Sequence, residues 1–219
     1  MLLEGAWVFA ALLLVRPVVD WVVLRKVRNI DELLKGNKAV GAVEAGFYIC
    51  AGFALNGSLD GQASSVLKSM ESTVVFGVLG LLLVVGVFVF IHERITRFQL
   101  RKVLRDGGKR YNLQDEIAQG NLAAAYEVAG MLIGTSMVVR EGVAGDFSGW
   151  RSGFAGFFAT TLVAVIGLYL ARWLIDRLVL TNCTVKEILE QNQINAGAVM
   201  MALVIVMALF LSTAIRLQL

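Results

Sequence analysis

The sequence predicts an all-α polytopic membrane protein of six transmembrane helices, built as three two-helix hairpins, and three observations carry that prediction. The 219 residues are 58% hydrophobic and 17% charged, with a mean hydropathy of +0.73, which is more apolar surface than a water-soluble core can hide. Six apolar stretches, near 5–24, 39–55, 73–91, 122–139, 154–175 and 194–215, approach the roughly 20 residues that a helix needs to cross a bilayer. A polar junction occurs three times between one stretch and the next: Glu32-Leu-Leu-Lys-Gly-Asn37, Glu116-Ile-Ala-Gln-Gly-Asn121 and Glu187-Ile-Leu-Glu-Gln-Asn192. The hairpins divide the chain at 1–60, 61–145 and 146–219.

The first span carries Arg16 and the chain's one proline, Pro17, which frees the carbonyl four residues earlier and predicts a kink. Its leading residues hold no positive charge, so it reads as a retained span and not a cleaved signal. Arg25, Lys26 and Arg28 follow, then the first junction and the second span. The polar connector from Asn56 reads as an exposed loop. The third span leaves the membrane at His92-Glu93-Arg94, where a lone histidine is expected to be solvated. Arg97, Arg101, Lys102, Arg105, Lys109 and Arg110 then alternate with apolar residues in a basic loop, 92–115. That loop suits either a positive-inside anchor or docking onto anionic lipid headgroups or a cytoplasmic protein partner. The fourth span contains Gly130 and Gly134, a GxxxG spacing that lets helix backbones approach and is expected to join subunits of a homo-oligomer. The glycines 142, 145 and 149 read as turns. The third hairpin carries Arg172, Trp173 and Asp176 before its junction and final span.

The junction has a capping chemistry. Asn37, Asn121 and Asn192 are expected to cover the first backbone donors of the even-numbered spans. Gly36 and Gly120 suit the left-handed residue that ends a short interfacial helix. Glu32, Glu116 and Glu187 sit near the positive end of the next helix or near neighbouring cations. Lys and Arg concentrate in the three junction loops, against Lys68, Arg140, Arg151 and Arg216 on the other side. The junctions therefore face the cytoplasm and both termini face outward. The basic residues flank spans in this topological pattern, so no nucleic-acid site is read.

With these junctions the chain resembles the small YjfL-like bacterial inner-membrane proteins of unknown function. The resemblance rests on Glu116-Ile-Ala-Gln-Gly-Asn121 with Gly130, and on Glu32-Leu-Leu-Lys-Gly-Asn37 with Gly46. The third copy departs, with Gln191 in place of Gly, Asn195 in the small-residue run and Met201 where Gly is expected. The resemblance implies a bacterial inner-membrane setting and association with envelope-stress systems, and it implies no activity.

Six ionisable residues fall within spans, where each costs about 2.5 to 3.5 kcal/mol at the helix centre. Arg16 and Asp20 form an i, i+4 pair that Arg172 and Asp176 repeat, and Glu44 and Glu127 lie about 9 to 10 Å beyond their junctions at the helical rise. All six fit one layer in the cytoplasmic half. Two Arg against four carboxylates leaves a negative surplus, so the layer is a proton or cation path, a static set of helix-to-helix pairs, or a group of side chains reaching back to the interface. The sequence favours a homo-oligomeric proton, cation or small-solute pathway. The alternative is a non-conducting scaffold that displays its basic loops. No zinc-spaced Cys pair, nucleophile elbow or phosphate-binding glycine loop occurs, so neither an enzyme nor a cofactor is expected.

Overall fold

A computed structural model describes residues 2–13, 15–60, 65–99, 112–145, 147, 149–179 and 184–217. Their regular structure is helical: α1 (Leu2–Leu13), α2 (Val15–Val18), α3 (Asn29–Leu34), α4 (Lys38–Gly57), α5 (Val66–Gly86), α6 (Glu93–Gln99), α7 (Leu113–Ala118), α8 (Leu122–Val143), α9 (Trp150–Leu174), α10 (Val185–Glu190) and α11 (Ile194–Arg216). Five helical segments among the described residues are long and apolar enough to cross a membrane: Lys38–Gly57, Val66–Thr96, Leu122–Val143, Trp150–Leu178 and Ile194–Arg216. The first expected span is represented by α1, α2 and the π turn Val19–Val23 that follows them, with residue 14 outside the described residues.

The core is centred on α8, whose alanines and glycines admit neighbours at short range. α4 and α11 flank it, α5 packs on α4 and α8, and α9 packs on α8 and α11. The buried face of α11, Gly197, Met200, Val204, Ala208 and Ser212, recurs at helical spacing. A Cβ at Gly130 would lie 3.0 Å from Met201 Cα, and one at Gly134 would lie 3.2 Å from Val204. The GxxxG spacing thus serves packing inside the chain, and the expectation that it joins subunits is corrected. Gly142 lies inside α8, so it marks no turn. Its hydrogen faces Thr161 of α9.

Three π-helical turns, Val19–Val23, Val87–His92 and Ile175–Val179, follow α2, α5 and α9 at the junction end of the bundle. They hold Asp20, His92 and Asp176. A six-residue helix, α3, α7 or α10, lies at each junction, in the second copy beyond α6, and each is closed by a left-handed residue. The backbone bonds are those of a Schellman motif: Gly36 N to Leu33 O with Asn37 N to Glu32 O, and Gly120 N to Ile117 O with Asn121 N to Glu116 O. The third junction makes the same bonds one residue later, Asn192 N to Leu189 O and Gln193 N to Ile188 O. There Asn192 itself takes the positive φ, 48°, and Gln193 precedes α11 with no side-chain cap. The expected cap at Asn192 is therefore a left-handed residue instead.

Gly36 and Gly120 have φ of 79° and 85° with open space where a Cβ would stand. Gly120→Ala is expected to cost about 1 kcal/mol from backbone strain alone. Gly120→Asn is expected to cost less, as Asn192 already shows. Thermal unfolding in detergent checks the order.

Candidate functional site

The junction glutamates and asparagines form one hydrogen-bond unit. Asn37 Oδ1 accepts from Ala39 N and Val40 N, while its amide donates to Glu32 (3.2 Å) and across to Ala118 O (3.0 Å). Asn121 repeats this, accepting from Ala124 N and donating to Glu116 (3.1 Å) and to Leu189 O (2.7 Å). Each Glu thus orients an Asn that caps its own helix and ties its junction to the next. Asn192 Oδ1 accepts from Ala123 N at the start of α8, and Glu187 forms a capping box with Thr184 at the start of α10. The Lys35 ammonium, and after it the Asn37 amide, holds the Glu32 carboxyl below its ordinary range, and Glu32 raises Lys35 in return. That stabilisation is present above the unfolded carboxylate's range and is lost as acid protonates Glu32.

Of the six ionisable residues expected in one layer, the structure brings two into direct contact and adds a third group. Arg172 Nη2 of α9 lies 2.8 Å from Glu127 Oε1 of α8, and its Nε donates to the same oxygen at 3.0 Å. His92 Nε2 lies 2.8 Å from Glu127 Oε2. The side chains of His92 and Glu127 are 1% exposed and that of Arg172 is 6% exposed, so the expectation of a solvated His92 is corrected. A carboxylate so enclosed needs donors on both oxygens, and it has them. The Phe88 ring stacks on the imidazole at 5.6 Å, and the Tyr169 ring lies 6.5 Å away. His92 Nδ1 and the Tyr169 hydroxyl have no hydrogen-bond partner among the described residues. Both residues border a gap too tight for water, with Phe88, Met131, Leu132 and Thr135.

Of the other four, Arg16 is exposed and Glu44 is half-buried, with Glu44 within electrostatic reach of Arg16 and Asp20 and its Oε2 without a hydrogen-bond partner among the described residues. Asp20 accepts from Asn29 Nδ2 at 2.6 Å and Asp176 from Val185 N at 2.9 Å, each across nine residues to the first residue of α3 or α10. Both aspartates sit in π turns, from which each carboxylate reaches the start of the junction helix that follows. Sequence reasoning missed His92 and Tyr169 because nothing in a 3.6-residue period marks the π turn that turns His92 inward.

Glu93, just after that turn, binds Arg25 Nη2 (2.8 Å) and Gln114 Nε2 (2.6 Å), tying the ends of the first and third spans to α7. Arg97 lies in α6, where its side chain is not described, and Arg101, Lys102, Arg105, Lys109 and Arg110 lie outside the described residues. At the opposite end Glu141, 4% exposed, accepts from Arg140 and Arg216, and Arg140 also binds Asn56 and Asp60. A cavity of about 180 Å³ beside it is lined by Ser58, Ser72, Thr73, Gly142 and Thr160.

Residues 1–110 and 107–215 each match the family model described as Domain of Unknown Function (DUF350). A UPF0719 transmembrane protein of Aquifex aeolicus (strain VF5) is 23% identical over 149 residues, covering 68% of this chain and 49% of the relative. The chain spans about half the length of that curated relative. No solved structure matches it. With five membrane-length helices and two family matches that together cover nearly the whole sequence, the chain is an integral membrane protein and belongs to the DUF350 family.

Proposed function

We propose that this protein is a gated proton pathway, without enzymatic activity or cofactor, whose proton-binding site is the His92–Glu127–Arg172 cluster. One observation carries the reading: a fully enclosed carboxylate is shared by a permanent cation and the imidazole, whose second nitrogen is buried with no hydrogen-bond partner among the described residues. Arg172 and Glu127 cancel, so the cluster is neutral when His92 donates Nε2–H to Glu127 and leaves a lone pair on Nδ1. A proton arriving at Nδ1 is relieved by passing the Nε2 proton to Glu127 Oε2. The neutral acid then holds Arg172 less tightly, so protonation loosens α8 from α9, and opening follows from that change. Intramembrane ionisable residues commonly form such relays.

The resemblance to YjfL-like proteins supports a bacterial inner membrane, and the basic junction loops support a cytoplasmic position for this end. Proteoliposomes with an enclosed pH-sensitive dye test the reading. Purified protein is expected to pass protons under an imposed gradient, and Glu127→Gln, His92→Gln and Glu44→Gln/Glu127→Gln to lose about tenfold or more of that flux, the effect of ~1.4 kcal/mol on a barrier. Equal flux from wild type and Glu127→Gln contradicts it.

A second reading, a scaffold for anionic lipid or a cytoplasmic partner, is favoured by the junction surface. There the side chains of Lys26 and Arg28 are 52% and 92% exposed beside Trp21 (80%) and Leu34 (83%). Truncation of 94–110 abolishes a scaffold's phenotype and spares proton flux.

A further inference from the structure

α4, α8 and α11 repeat one packing register. Counted from the residue that precedes each helix (Asn37, Asn121, Gln193), the ninth residue of one helix sits on the eighth of the next. A Cβ at Gly46 would lie 2.7 Å from that of Ala129, and one at Gly130 would lie 3.0 Å from Met201 Cα. The fourth residue of the later helix sits on the second of the earlier. A Cβ at Gly197 would lie 2.9 Å from Ala123 Cα, and the pair one step back, Ala125 and Ala39, is fully buried. The junctions advance in the same direction, with the Asn37 amide on Ala118 O and the Asn121 amide on Leu189 O.

Both ends of this row are open. On α11 the ninth residue, Ala202, is exposed, in a stripe with Val199, Val206 and Leu209. On α4 the eighth residue, Ala45, is exposed beside Tyr48 and Ile49. Asn195, the second residue of α11, is an exposed amide on a membrane-length helix, and its counterpart in the register, Gly41, has only Leu33 nearby. The end of α3, whose equivalents in α7 and α10 receive an asparagine, leaves Leu34 83% exposed.

We infer that these faces are two halves of a head-to-tail interface, in which α11 of one copy packs on α4 of the next, with Ala202 against Ala45 and Asn195 against Gly41. The occupant is a second copy because the two faces complement each other in the register that already joins α4 to α8 and α8 to α11. Both faces are small where backbones must approach, and lipid offers no partner to the Asn195 amide. The contact is heterologous, so it closes into a ring or runs as a row. It stands independently of proton conduction.

Cysteine cross-linking in native membranes tests it, in a Cys50→Ala/Cys183→Ala background. Ala45→Cys/Ala202→Cys is expected to give disulfide-linked dimers and larger species on mild oxidation, and either single substitution is expected to give little. Ala202→Trp, at an exposed position, is expected to lower the native mass in detergent about twofold or more, as loss of a subunit contact requires, with an unchanged thermal melt. The inference is overturned if the pair links no better than Ala45→Cys with Ile166→Cys on the lipid-exposed face of α9. It is also overturned if Ala45→Cys alone links as well, or if Ala202→Trp leaves the mass unchanged.

Discussion

Arg172→Met is expected to lower stability by about 3 to 5 kcal/mol, the cost of leaving a buried carboxylate without its cation. Glu127 is enclosed, and its Oε1 has Arg172 as donor through both Nε and Nη2. His92 remains on Oε2 but supplies no permanent charge. The discriminating comparison is Arg172→Met/Glu127→Met. Removing both charges is expected to restore most of the loss, because two desolvation costs vanish with the pair. Thermal unfolding in detergent, followed by tryptophan fluorescence, separates the cases. A double variant as unstable as the single one would show that Glu127 and Arg172 are not a buried couple.

The second large effect is expected at Gly46. A Cβ there would stand 2.7 Å from Ala129 Cβ and 2.9 Å from its Cα, so α4 and α8 must separate for any side chain. Backbone has nowhere to turn, unlike a flexible side chain. Gly46→Leu is therefore expected to cost at least the ~1 to 3 kcal/mol typical of an overpacked core. Gly86→Leu is the control, because nothing lies within 4 Å of its added Cβ. Similar melts for the two variants would mean that α4 and α8 do not approach as described.

Much of the fold was legible because hydropathy reports whether a segment meets lipid or water. The even-numbered spans appear near their expected limits, and Asn37 and Asn121 cap them, since capping depends on chemistry within a few residues. What depended on three-dimensional register was not legible. The third junction keeps the spacing from Glu187 to Asn192 in sequence, yet its backbone slips by one, because Asn tolerates the left-handed conformation and Gln191 does not need to. That slip also moves the residue equivalent to Gly130 from Met201 to Ala202. The π turns bring His92 to Glu127 and bring Asp20 and Asp176 to the junction helices, which composition does not announce. One buried cluster forms around Glu127, and two aspartates serve the junction helices. A partner's side decides the rest: Gly130 faces α11 of its own chain, which a GxxxG spacing by itself does not state.

The cluster rests on His92, and that residue is the chain's sole histidine, so it can be observed without assignment. The most direct measurement is solid-state nitrogen NMR of histidine-labelled protein in lipid bilayers. The expected signal is one neutral imidazole with its proton on Nε2, hydrogen-bonded to a carboxylate, and Nδ1 bare. That signature should be lost in Glu127→Gln. A mixture of tautomers exchanging with water, identical in wild type and Glu127→Gln, would contradict it.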